Sequence, residues 1–318
     1  MSTRTTHLRT ALAAAALAAV VLGGCATQAA PGGTGVIPAA ADAAPAVAPA
    51  AAECADATTS YAPTTGTEVP GGSTMAAIRD RGHLRVGVSA DTLQMGARNP
   101  FTGEIEGFDI DIARQVAQAI IGDPDAIRFR VITAGDRIPV LQEHEVDLVV
   151  RAFTINCERW QDIAFSAEYF TAGQKVLVST ESDAQGIADL AGQRVCAPEG
   201  TTTLERLDEY DVEPVGARTH SACLALFQQG RVDAITGDDT VLAGFVAQDP
   251  YARVVGEAFS AEPYGVGVAA DQVDLVRFVN AVLDGMKADG TWAQVYDRWL
   301  GGALGPAPAP PTSVYGRS

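Results

Sequence analysis

From residue 75 onward the chain alternates between two hydrophobic periods. Residues 75–82 read as a short helix, and at 83–89 Leu84, Val86 and Val88 fall on one face, which predicts a strand. After Gly107 the spacing changes: Phe108, Ile112, Val116 and Ile120 recur every four residues and form the stripe of an amphipathic helix. Strands are predicted again at 127–132, 146–150, 193–197 and 232–236. Helical spacing is predicted at 204–210, 273–288 and 292–299. Strands alternating with helices predict an α/β fold. The segments LQEHEVDLV (141–149) and FQQGRVDAI (227–235) share a grammar in which a helix ends in Gln and a polar turn, and Val-Asp then leads an apolar strand. Two similar α/β lobes follow from that echo.

The ends of the chain lack either period. Arg4 and Arg9 precede an apolar run from 11 to 22, which ends in Leu22-Gly23-Gly24-Cys25. This is a secretory signal over 1–24 whose end matches the lipoprotein box, with Cys25 as the lipidated residue. The run falls short of the ~20 residues that a bilayer-spanning helix requires. The expected location is therefore extracytoplasmic, with lipid anchoring to the outer face of the cytoplasmic membrane. Residues 25–74 are rich in Ala, Pro, Gly and Thr and are expected to be a flexible tether. The Pro- and Ala-rich stretch 301–318 is expected to be disordered.

Charge and cysteine content narrow the chemistry. A net charge of −17 argues against a nucleic-acid surface, which needs clustered Lys and Arg. Beyond Cys25, the exported chain keeps Cys54, Cys157, Cys196 and Cys223, which allow three disulfide pairings. His83, His144 and His220 stand apart from any triad-like Ser or Cys, and Glu143-His144-Glu145 reads as a solvated turn. No metal, cofactor or catalytic residue is expected. Asp109 and Asp111 sit in a first helical turn, where carboxylates offset the macrodipole. Asp136 is placed to cap a helix with Pro139 in its first turn.

The segment VVRAFTINCERWQDIAFS (149–166) carries the strongest functional signal. An apolar strand empties into polar sequence bearing Thr154, Asn156 and Arg159, and ligands sit at such strand ends in α/β sheets. An arginine there presents paired donors to a carboxylate. Together with AFSAEYFTAGQKVLV, this segment resembles the lobe-crossing signature T-I-T-x-E-R…F-S-x-x-Y of family 3 extracellular solute-binding proteins, the polar amino-acid receptors of ABC importers. Asn156 replaces the usual second threonine. The GFDIDIA run, the Glu199-Gly200-Thr201-Thr202 loop and the ending KADGTWAQVYDRWLG also resemble that family, in the same order.

The resemblance implies a two-lobed clamp of the type II periplasmic-binding kind. Its discontinuous first lobe would cover 75–172 plus 264–300, with lobe 2 over 173–263 and two crossovers between. It implies that Arg159 and Thr154, helped by Thr201 and Thr202, hold an α-carboxylate, and that Asp238 accepts the ammonium. Arg137, in a motif similar to N-R-I-P, is implied to reach an acidic side chain. Ala152 and Phe153 complete the expected set, with Phe153 or Phe101 a possible ligand-stacking ring. Arg151 departs from the family pattern and could add positive potential. A cysteine-bearing branch of the family implies Cys196 with Cys223, which leaves Cys54 for Cys157. The expected ligand is glutamate, glutamine, aspartate or asparagine, and the expected partner an ABC permease docking a monomer. A membrane sensor receptor as partner and a dehydratase of the same fold are the alternatives.

Overall fold

The computed structural model describes residues 56–318. The expected signal peptide 1–24, the expected lipidation site Cys25, the first part of the expected tether and Cys54 lie outside the described residues. Two α/β lobes each rest on a five-stranded sheet. In lobe 1 the order is Ile127–Val131, Leu84–Val88, Leu148–Val149, Gly267–Ala269 and Ile163–Phe165. The first three strands run parallel, and Gly267–Ala269 opposes both of its neighbours. In lobe 2 the order is Glu213–Ala217, Arg194–Pro198, Ala234–Asp238, Phe170–Ser179 and Ala252–Tyr264. The last two of these are long antiparallel strands, and along them the chain crosses between the lobes.

The helix Phe108–Ile121 shows how local sequence fixes an element. Its predicted stripe of Phe108, Ile112, Val116 and Ile120 is buried, and each such side chain contributes about 1.5–3 kcal/mol. Gly107 starts the helix at φ +143, where a Cβ would stand 2.3 Å from the Met95 carbonyl oxygen, so only glycine fits. Gly122 ends it in the left-handed region, its N–H donating to the Gln118 carbonyl at 2.9 Å. The lobe 1 core gathers Phe108, Tyr169, Phe170, Tyr264 and Trp292. Lobe 2 packs apolar clusters around Leu177, Ile235 and Phe245 and around Val176, Leu190 and Leu207. Cys196 and Cys223 are joined by a disulfide that ties strand Arg194–Pro198 to helix His220–Gln228. Cys157 is disulfide-bonded as well.

Three expectations are corrected and a fourth is extended. Residues 301–318 are ordered: Val314–Arg317 pairs in parallel with Thr59–Tyr61. Asp284 accepts hydrogen bonds from Ser313 Oγ and Tyr315 Oη, both at 2.7 Å, and the Arg317 guanidinium lies 3.8 Å above the Trp160 ring. The strand Thr59–Tyr61 and the first residue of the helix Thr74–Arg81 fall inside 25–74, so the expected tether extends too far. Ser60 is buried, and Asn280 Nδ2 donates to Ser60 Oγ at 3.0 Å and to the Tyr61 carbonyl at 2.7 Å. Asp109 and Asp111 stand in the first turn as expected and also make tertiary bonds: Asp109 accepts from Tyr169 Oη at 2.7 Å and the Ala152 N–H at 2.8 Å, and Asp111 from Trp299 Nε1 at 2.7 Å. Asp136 makes no side-chain cap to its helix and instead accepts from the Thr133 N–H and hydroxyl.

Candidate functional site

The exits of strands from both lobes converge on two small adjoining cavities. The outer one, about 160 Å³, lies among Arg137, Phe153, Arg159 and Gly200. The inner one, about 20 Å³, is lined by Arg137, Arg151, Thr154, Thr202, His220 and Asp238. The lobes are drawn together here. The structure therefore gathers the residues expected from sequence, Phe101 excepted, which is 95% exposed at a hairpin tip. A wide groove of about 990 Å³ between Phe170, Val254, Tyr296 and Pro311 holds none of them.

Lobe 1 supplies the cations. The guanidiniums of Arg137 and Arg159 lie over the Phe153 ring, 4.4 and 5.1 Å from its centre, and Phe153 itself packs edge-on against Phe165. Phe153 is thus a platform for two arginines. Arg159 Nη1 donates to the Thr154 carbonyl at 2.6 Å, and Arg137 Nη1 to the Ala152 carbonyl at 3.1 Å. Ala152 holds φ +39, a left-handed conformation unfavourable for a residue with a Cβ, fixed by the Asp109 carboxylate on its N–H.

Lobe 2 supplies the opposing face. Thr201 caps the helix Thr202–Glu205, its hydroxyl accepting from the Leu204 N–H at 3.2 Å. Thr202 Oγ1 donates to Glu262 Oε2 at 2.7 Å and stands 3.5 Å from Thr154 Oγ1. Asp238 precedes the helix Asp239–Val246 but makes no side-chain cap. Its Oδ2 accepts from Tyr264 Oη, while Oδ1 is buried with no hydrogen-bond partner among the described residues. Burial, then the charge of Glu262, pushes the Asp238 carboxyl up to about 7.

A match to the bacterial extracellular solute-binding proteins, family 3, runs over residues 84–302. The chain belongs to that family. Among its family 3 relatives, the ABC transporter glutamine-binding protein GlnH of Bacillus subtilis is 36% identical over 230 residues, covering 71% of this chain and 84% of that one. The glutamate-binding protein GluB of Corynebacterium efficiens is 31% identical over 252 residues, covering 73% and 83%. A crystal structure of an ancestral amino acid-binding protein, a precursor of cyclohexadienyl dehydratase, superposes with a TM-score of 0.66 at 31% identity, covering 71% and 99%.

In this family 3 chain, His220, Glu262 and Tyr264 join the site without having been singled out as site residues. His220 is brought in as the first residue of a helix capped by Thr219, so its signal was the cap rather than the histidine. Glu262 and Tyr264 lie at the end of the returning crossover strand, which carries them back to the boundary between lobes. Among the described residues no group of His, Cys, Asp and Glu could hold a metal ion, and no helix is long and apolar enough to cross a membrane.

Proposed function

We propose that this chain captures a polar amino acid of the glutamate, glutamine, aspartate and asparagine group between its lobes and delivers it to an ABC permease. The observation that carries this reading is the buried, unpartnered Oδ1 of Asp238, which shares a small cavity with arginine donors of the opposite lobe. A buried carboxylate oxygen without a donor is costly, and the ammonium of an amino acid satisfies it. The carboxylate of the same molecule is then matched by Arg159 and Thr154, and by Thr201 and Thr202 once their hydroxyl protons turn from the Pro198 carbonyl and Glu262. Because the two sets belong to different lobes, ligand favours the closed arrangement over the open one. The names of the relatives GlnH and GluB support the same ligand group.

The reading also holds that the protein is a non-catalytic monomer, anchored by lipid on Cys25 outside the cytoplasmic membrane, with Cys54 bonded to Cys157. Thermal unfolding of the full chain against the twenty amino acids tests the ligand assignment. A ligand at a hundred times its dissociation constant adds about 2.7 kcal/mol of stability. A cationic or purely aliphatic amino acid giving the largest shift would overturn the assignment.

A further inference from the structure

The three arginines of the site differ in what their donors do. Arg137 engages the Ala134, Ala152 and Gly200 carbonyls through Nε, Nη1 and Nη2, and Arg159 engages those of Thr154 and Gly200. Arg151 is equally buried, yet only its Nε is bonded, to the Ile132 carbonyl at 3.0 Å. Neither terminal nitrogen has a hydrogen-bond partner among the described residues. The carboxylates whose charge reaches Arg151 are those of Asp91, Asp109 and Asp136. None forms an ion pair with it, and each is held elsewhere: Asp91 by Ser221 and Ser89, Asp109 by Tyr169 and Ala152, Asp136 by Thr133.

Arg151 and His220 both line the inner cavity, as Asp238 does. The imidazole meets Thr92 Oγ1 through Nδ1 at 3.4 Å, and burial followed by the charge of Arg151 pushes it down to about 3. It is therefore a neutral, polar neighbour that does not repel an anion. A guanidinium with both terminal nitrogens unengaged suits a carboxylate, which accepts two parallel N–H bonds, better than an amide, which offers one acceptor oxygen and brings two N–H donors of its own.

Building on the amino-acid reading above, we infer that Arg151, with His220 beside it, receives a side-chain carboxylate, so that the cleft selects an acidic amino acid over its amide. The role that sequence assigned to Arg137 thereby passes to Arg151, whose terminal nitrogens meet no acceptor among the described residues, whereas each terminal nitrogen of Arg137 already donates one N–H to a carbonyl. Arg137 becomes a positioning residue that holds the Ala152 and Gly200 main chain.

Isothermal titration of the full chain with L-glutamate, L-glutamine, L-aspartate and L-asparagine tests the inference, on the wild type and on Arg151→Gln. The expected wild-type result is an acid bound at least tenfold more tightly than its amide. Arg151→Gln should lower that ratio by tenfold or more. A purely structural role for Arg151 would weaken acid and amide alike and leave the ratio unmoved, which overturns the inference. An amide bound as tightly as its acid in the wild type also overturns it, while leaving the amino-acid reading intact. If none of the four binds, both readings fall. Should Arg151→Gln not fold, the wild-type ratio alone decides.

Discussion

The main-chain carbonyl of Gly200 in lobe 2 accepts a hydrogen bond from Arg137 Nη2 of lobe 1 at 2.8 Å. The approach depends on Gly200 being glycine. Gly200 holds φ +71, and a Cβ on it would stand 2.8 Å from Gly135 Cα. Gly200→Ala should therefore hold the lobes apart. The left-handed backbone costs an alanine about 1–2 kcal/mol, a modest loss of stability. Ligand affinity should fall at least tenfold, and X-ray scattering with saturating ligand should show a larger radius than for the wild type.

Removing the head-group arginine is expected to be more severe. Arg159→Met keeps the bulk over Phe153 but leaves the Thr154 carbonyl and the incoming carboxylate without their donor. Truncating one partner of a buried, hydrogen-bonded charge pair costs about 2–5 kcal/mol, or roughly thirtyfold and more in affinity. Titration calorimetry showing less than a fivefold loss would place the α-carboxylate elsewhere.

Asp238 makes binding and stability depend on pH. Its carboxyl titrates near 3.8 when unfolded and about 7 in the folded, ligand-free protein. Between those values the folded state binds the extra proton, so stability from this group is fully present below about pH 4 and is lost as pH rises through about 7. Asp109, raised to about 6 by burial, acts in the same direction. Asp238→Asn should flatten the decline in ligand-free stability over that window, measured by denaturant melts. An ammonium ligand requires the ionised form, so binding near pH 6 should release up to about one proton, detectable as a buffer-dependent heat.

The C-terminal strap should stabilise without serving the site. Deleting residues 305–318 removes the pairing with Thr59–Tyr61 and the bonds that Asp284 accepts from Ser313 and Tyr315. The melting temperature should fall by several degrees, since each kcal/mol is worth about 2–4 °C in a chain of this size. Ligand affinity should stay within threefold.

Where the physics is local, it was legible. The four-residue stripe of Phe108 to Ile120 and the strand at Leu84–Val88 follow from side-chain period alone, and the structure keeps both. The polar exits carrying Thr154, Arg159, Thr201 and Asp238 could be located because they follow apolar strands. The strap could not be. Its Pro- and Ala-rich sequence has no period, and its order comes from a strand some 250 residues distant and from the Asp284 carboxylate. Nor could sequence show that, of the three arginines at the site, Arg151 is the one with unengaged terminal nitrogens, because that depends on which carbonyls and carboxylates meet each guanidinium. Asp109 illustrates the same limit: the helix start explains its position, while Tyr169 and Ala152 determine its use.

The pairing of Thr59–Tyr61 with Val314–Arg317 has a mechanical consequence. Both ends of the described segment are fastened to lobe 1, through Asn280, Asp284 and Trp160. The chain passes between lobe 2 and lobe 1 along the strands Phe170–Ser179 and Ala252–Tyr264. Force arriving through either end of the described segment thus enters the lobe that holds the arginines and reaches the jaw with Asp238 only by way of lobe 1.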